Sequence, residues 1–195
     1  MIKFTEHKAG KLEFLASLST SFADFCFKAQ LNPDNVCFEC YGINHQKCFK
    51  SMVPFLERNT KHLTKRIPFN EIPILNYKTV RFNSFGEIHN KNHLANLVKI
   101  AEKNPTTQFT LWTKRYNITE GYFNGHKKPD NFILIYSSMK VNKALDVDKY
   151  SHNDKVFTVY SKDQNVNINC GGRKCATCML CYTYNKTKYV NEHLK

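Results

Sequence analysis

Residues 79–113 restrict the fold more than any other part of the chain. The stretches "TVRFNSF" and "QFTLWT" have the β-branched and aromatic content of strands. Between them, "NKNHLANLVKIAEKN" places Leu94, Leu97, Val98 and Ala101 at helical spacing. A strand, a helix and a strand within about 35 residues form a βαβ unit, whose two strands are expected to lie parallel.

The rest of the chain contains further elements of the same kinds. Residues 132–138 ("FILIYSS") and 155–161 ("KVFTVYS") have the composition of buried strands, and the segment between them has room for a short helix. Residues 46–66 predict a helix that kinks or restarts at Pro54, whereas residues 11–25 fit either a strand or a helix. We therefore predict an α/β fold with a mainly parallel, incomplete barrel-like sheet, in a single domain that spans the chain.

The segments that directly follow the two strands of the βαβ unit are the predicted functional face. They are "NSFGEIHN" and "TKRYN", and they lie at the carboxyl ends of their strands. Ligands of parallel sheets bind at that edge. No Ser–His–Asp triad, P-loop or Gly-rich dinucleotide turn is present, so the sequence gives no support to the enzyme classes that those motifs define.

The net charge of +13 indicates a polyanionic partner or an acidic protein surface. RNA or a ribonucleoprotein is the predicted partner, and the alternative is the lysine-rich proteome of an AT-rich genome. The predicted nucleic-acid-binding residues are Arg58, Lys61, Lys65, Arg66, Lys114, Arg115, Lys127 and Lys128. No apolar run reaches membrane-span length and the N-terminus lacks a signal-peptide core, so we expect a cytoplasmic protein that contacts no membrane.

Eight cysteines fall into two groups of four, which is the pattern of metal ligands in a reducing compartment. The groups are Cys26, Cys37, Cys40 and Cys48 in an N-terminal loop, and Cys170, Cys175, Cys178 and Cys181 in a C-terminal knot within a metal-binding extension over residues 162–195. The C-terminal spacing C-x4-C-x2-C-x2-C favours an iron–sulfur cluster, with zinc as the alternative. Cys48 is either a ligand or a core residue, and the thiols form either two sites or one shared site that joins the chain ends.

Several short motifs occur in an order that resembles the phage "gene product 88" family. They are "CFECYG", "ERN", residues 80–114, "KVFTVYS" and the terminal Cys-rich segment, and together they touch most of the chain. The resemblance implies a phage or prophage origin, in an infected or lysogenic bacterial host. It also implies an accessory role such as antagonism of a host defence of the CRISPR–Cas type.

The gene product 88 family in turn resembles a reduced form of radical S-adenosylmethionine enzymes. Those enzymes hold a four-iron cluster on three cysteines, and a Gly-Glu pair after a later strand binds the methionine amino group. Gly86 and Glu87 match that pair, and S-adenosylmethionine is therefore a second candidate cofactor. The cysteine spacing differs from the C-x3-C-x2-C of those enzymes, which favours cluster binding over cleavage of the cofactor.

Three functions follow from these observations. The first is a phage accessory protein with cysteine-bound iron–sulfur sites that binds RNA or a ribonucleoprotein. The second is a compact radical S-adenosylmethionine-like enzyme that modifies a nucleic acid, with Cys26, Cys37 and Cys40 on the cluster. The third is a zinc-stapled DNA-binding protein.

Overall fold

The computed structural model describes residues 1–194, which form an α/β fold around a seven-stranded sheet. The strands are β1 (Thr5–Glu6), β2 (Ala16–Leu18), β3 (Thr79–Phe82), β4 (Gln108–Thr113), β5 (Phe132–Ser137), β6 (Lys155–Tyr160) and β7 (Tyr189–His193). Their order in the sheet is their order in the chain. Only β1 is antiparallel to its neighbour, and the sheet is open because β1 and β7 do not pair with each other.

Six α-helices connect the strands within residues 1–194. They are α1 (Asp24–Gln30), α2 (Tyr41–Cys48), α3 (Val53–Leu63), α4 (Lys91–Lys103), α5 (Tyr116–Phe123) and α6 (Cys175–Cys178). Because consecutive parallel strands are neighbours and crossovers are right-handed, the connecting helices α1–α5 cover one face of the sheet. None of the helices within residues 1–194 is both long enough and apolar enough to span a membrane.

The helix-covered face holds the larger core. Phe82, Phe109 and Phe132 project from three neighbouring strands and are 0% exposed. The rings of Phe82 and Phe109 stack with their centroids 5.0 Å apart. This core needs apolar residues at alternate strand positions, which Val80 and Phe82 supply in β3 and Phe109 and Leu111 supply in β4.

The opposite face of the sheet is covered by the C-terminal segment. Ile133, Ile135 and Tyr182 form a second apolar cluster there, together with Cys181. Thr110 Oγ1 of β4 donates a hydrogen bond to the Cys181 carbonyl oxygen at 3.2 Å. The Cys-rich segment is therefore packed on the sheet, and its last strand β7 extends the sheet beyond β6.

The predicted α/β class and mainly parallel, open sheet are confirmed. The βαβ unit forms over β3, α4 and β4, and the two strands predicted near residues 132 and 155 are β5 and β6. The helix predicted over residues 46–66 is divided, since α2 ends at Cys48 and α3 begins at Val53. Pro54 lies in the first turn of α3, where its missing N–H costs no hydrogen bond.

The predicted N-terminal Cys loop and C-terminal Cys knot are not confirmed as such. Cys26 and Cys48 lie in helices α1 and α2, and the segment between these helices holds only Cys37 and Cys40. In the C-terminal group, Cys175 and Cys178 begin and end the single turn of α6. The cysteines are free thiols rather than disulfides.

Candidate functional site at the carboxyl edge of the sheet

Gly86 fixes the loop that follows β3. Its φ is +82°, and a Cβ atom there would lie 2.4 Å from the Thr20 carbonyl oxygen and 2.6 Å from that of Ser21. Only glycine permits both the left-handed conformation and the close backbone approach. The loop after β3 is therefore held against the segment that follows β2, and the next residue, Glu87, is buried.

Glu87 is a buried carboxylate with three donors. Its side chain accepts hydrogen bonds from Thr113 Oγ1 at 2.6 Å, from the Lys114 N–H at 2.7 Å and from the Ile88 N–H at 2.8 Å. Burial raises the pKa of Glu87 above its ordinary value, while these three hydrogen bonds and the nearby Lys114 ammonium oppose the rise. The arrangement supplies a rigid acidic group at the wall of a cavity.

Three cysteines of the N-terminal half lie near Glu87, within electrostatic range of it and of one another. Cys26, Cys37 and Cys40 are each partly buried. Cys26 lies in α1, whereas Cys37 and Cys40 lie in the segment between α1 and α2. Burial, the Glu87 carboxylate, and the thiols of Cys37 and Cys40 raise the pKa of Cys26 to about 12. Burial also raises the pKa of Cys37, and Lys114 opposes that rise. We call these three residues the N-terminal thiol group.

Three cysteines of the C-terminal half form a second group, the C-terminal thiol group of Cys170, Cys175 and Cys181. Burial, Cys170 and Cys175 raise the pKa of Cys181 to about 12, and the Arg81 guanidinium opposes the rise. Lys11 Nζ donates to Cys170 Sγ at 3.3 Å.

A cavity of about 240 Å³ lies at the carboxyl edge of the sheet, and the C-terminal thiol group forms part of its lining. Glu87 and Lys114, which act electrostatically on the N-terminal thiol group, also line it. Arg81 and Trp112 form part of its wall. The cavity lies at the edge of the sheet that the sequence predicted. Lys11 and Glu192, which are 181 positions apart, also line it. No local sequence pattern indicates these two residues.

Of the eight predicted metal ligands, six belong to the two thiol groups, and Cys48 and Cys178 belong to neither. Cys48 is exposed, and Cys178 contributes to neither set of thiol–thiol interactions described above. Within residues 1–194, no three His, Cys, Asp or Glu side chains are close enough together to hold a metal ion. Metal ligation by these cysteines, in two sites or in one shared site, stays a prediction.

The predicted nucleic-acid-binding residues lie at two different ends of the sheet. Helix α3 and the residues after it expose four basic side chains, those of Arg58, Lys61, Lys65 and Arg66. Lys127 and Lys128 follow α5, and Lys128 is paired with Asp154 at 2.5 Å. Helix α3 contacts the segments that follow β2 and β3, since Thr60 Oγ1 accepts from the Ser21 N–H and the Thr64 carbonyl accepts from Asn90 Nδ2. Lys127 and Lys128 precede β5 and so lie at the amino edge.

Lys114 and Arg115 lie instead at the carboxyl edge, where the fold engages both side chains. Lys114 Nζ donates to Ser137 Oγ at 2.8 Å. Arg115 Nη1 donates to the Ile88 carbonyl at 3.1 Å, and its guanidinium lies 5.1 Å from the Phe25 ring centroid. The eight residues therefore do not form one continuous basic surface.

Fold and site together define an α/β protein with an open, mainly parallel sheet, whose carboxyl edge holds a buried carboxylate near three thiols and in the wall of a cavity that three further thiols line. The chain belongs to the gene product 88 family, whose model matches residues 18–191. The match includes both thiol groups and the Gly86–Glu87 pair. It supports the prediction of a phage accessory protein. Comparison with curated proteins gives no match, comparison with solved structures gives none, and nothing in these results links the chain to radical S-adenosylmethionine enzymes.

Proposed function

We propose that this phage accessory protein binds a metal, as an iron–sulfur cluster, through Cys26, Cys37 and Cys40, and binds RNA or a ribonucleoprotein through the basic surface of α3. The observation that supports the metal is that these three thiols lie within electrostatic range of one another and of Glu87, near the ligand-binding edge of a parallel sheet. In the cell, the proposed role is antagonism of a host defence that acts on nucleic acid.

The chemistry of the thiol group fits a cationic metal centre. A buried thiol whose pKa is about 12 ionises at neutral pH only when a positive charge compensates it. Lys114 supplies part of that compensation beside Cys37, and a metal would supply the rest. A bound cluster would supply electron transfer or a rigid cross-link between α1 and the segment before α2.

The first prediction concerns metal content. Protein purified without oxygen and reconstituted with iron and sulfide is expected to be brown, with stoichiometric iron and sulfide. Cys37→Ser is expected to lose most of that absorbance, because it removes one member of the N-terminal thiol group. Cys48→Ser is the matched control, since Cys48 is exposed and lies outside the group.

Three results separate the alternatives for the metal. Colourless protein with stoichiometric zinc would favour the zinc-stapled DNA-binding protein. Equal loss of metal in Cys48→Ser and Cys37→Ser would contradict the proposed ligand set. Cys175→Ser decides whether the C-terminal thiol group, the proposed second ligand set, binds a metal of its own.

The second prediction concerns the basic surface of α3, defined by Arg58, Lys61, Lys65 and Arg66. Slight burial and the positive charges of the N-terminal amine, Lys61, Arg58 and Lys65 all lower the pKa of His62, which indicates a concentrated positive potential. Neutralising Lys61 and Lys65 together as glutamine is expected to weaken RNA binding. It is also expected to reduce the salt dependence of binding by roughly one counterion for each phosphate that the protein no longer neutralises.

The matched control for this prediction is the pair Lys162→Gln and Lys186→Gln, which removes the same charge from exposed positions outside α3. Binding is measured by fluorescence anisotropy of a labelled single-stranded RNA over a series of salt concentrations. Identical salt dependence in both double variants would show that only net charge matters, and would contradict a specific role for α3.

The enzyme alternative is favoured by one observation, which is that Glu87 lines the cavity beside the N-terminal thiol group. In that case the reduced, cluster-loaded protein would release methionine or 5′-deoxyadenosine from S-adenosylmethionine, with Glu87 accepting the methionine ammonium. An unchanged cofactor under those conditions would reject this alternative.

A further inference from the structure

The charged residues that line the cavity leave one positive charge without a partner. Lys11 Nζ pairs with Glu192 Oε1 at 2.6 Å, and Lys114 acts electrostatically on Glu87. The charged residues that line the cavity are these two lysines, these two glutamates and Arg81. Arg81 is therefore the positive charge that the protein does not offset within the cavity.

The surroundings of Arg81 are apolar or aromatic rather than acidic. Its Cζ atom lies 4.2 Å from the centroid of the Trp112 ring. Its Nε is buried and has no hydrogen-bond partner, and no carboxylate forms a salt bridge with Arg81 within the described residues. A guanidinium in a partly enclosed site with an unused donor is favourable only when an acceptor occupies the site.

We propose that the cavity binds a small organic anion through a carboxylate or phosphate group on Arg81, with the body of the ligand against Trp112 and Phe157. Arginine holds such oxyanions with two parallel hydrogen bonds. The two aromatic rings line the same cavity and give an apolar surface for a flat ligand. A cavity of about 240 Å³ is at or below the small end of ligand pockets, so it fits a single small molecule and not a nucleic-acid strand.

Trp112 makes this inference directly measurable, since it is the single tryptophan of the chain and lies against Arg81. The metal-free protein is titrated with benzoate, acetate and inorganic phosphate, each compared with potassium chloride at equal ionic strength. The expected result is a saturable change in tryptophan fluorescence with an oxyanion and none with chloride. Benzoate stronger than acetate indicates a flat carboxylate ligand, and phosphate strongest indicates a phosphate ester.

Arg81→Gln is expected to weaken the binding of the effective anion roughly 10- to 100-fold, as for loss of a charge-assisted hydrogen bond. Arg58→Gln on the exposed face of α3 removes the same charge and is expected to leave the affinity unchanged. Arg81→Lys keeps the charge without the planar fork and is used if Arg81→Gln does not fold, with an intermediate loss expected.

The inference is overturned if no anion gives a saturable change in the wild type, if chloride gives the same change, or if the Arg81 variants bind as well as Arg58→Gln. It is independent of the proposed metal and RNA surface, because it is tested on metal-free protein with ligands too small to report on α3.

Discussion

Replacing Gly86 with alanine is expected to destabilise the protein by about 3–5 kcal/mol, more than the same change at any other glycine in the described residues. Two costs add. The φ of +82° strains any L-residue, and the new Cβ would meet the Thr20 and Ser21 carbonyl oxygens at 2.4 and 2.6 Å. Both oxygens belong to the backbone just after β2, which cannot rotate away as a side chain would. The measurement is the free energy of unfolding in urea.

Two other glycines separate these costs. Gly172 has a φ of +67° with no atom within 4 Å of the added Cβ, so Gly172→Ala is expected to cost only the conformational strain of about 1 kcal/mol. Gly121 lies in α5 with open space around it, and Gly121→Ala is expected to stabilise by about 0.5–1 kcal/mol. If Gly86→Ala and Gly172→Ala were equally destabilising, the predicted clash of the Cβ atom at position 86 with the Thr20 and Ser21 carbonyl oxygens would be contradicted.

The βαβ unit was predictable because its information is local. Leu94, Leu97 and Val98 repeat at helical spacing, and each neighbouring strand is a short apolar run, so no long-range contact is needed to recognise them. Strand β7 gives no such signal, because "YVNEH" buries only Val190 fully and depends on pairing with β6 to form.

The candidate site was predictable in part for the same reason. Cys37 and Cys40 are close in sequence, and the Gly86–Glu87 pair follows a recognisable strand, so spacing and position indicate them. The salt bridge of Lys11 with Glu192 joins residues 181 positions apart, and only the parallel pairing of β7 brings them together. The position of Arg81 in the cavity could not be predicted, because it depends on which face of the sheet the C-terminal segment covers.

Glu87 is the residue at which stability and site chemistry meet. Glu87→Ala is expected to cost about 2–4 kcal/mol, because it leaves the Thr113 hydroxyl and the N–H groups of Ile88 and Lys114 buried without their acceptor. Glu87→Gln keeps one acceptor oxygen, but its amide places a donor against the donors of the site, and the expected cost is about 1–3 kcal/mol. Glu57→Gln on the exposed face of α3 is the matched control, with an effect within about 0.5 kcal/mol.

The pH dependence of these variants tests whether burial or hydrogen bonding dominates at Glu87. Because the folded protein raises the pKa of Glu87, the folded state keeps a proton that the unfolded state releases above pH 4.5. The wild type therefore loses stability as the pH rises from about 4.5 through the raised pKa, whereas Glu87→Gln has no proton to lose at this position. The difference in unfolding free energy between wild type and Glu87→Gln is expected to shrink over that interval, as measured by urea unfolding at several pH values. A difference that grows with pH would mean that the three donors and Lys114 outweigh burial. Glu87 would then be a permanently charged carboxylate, suited to a cationic group of a ligand.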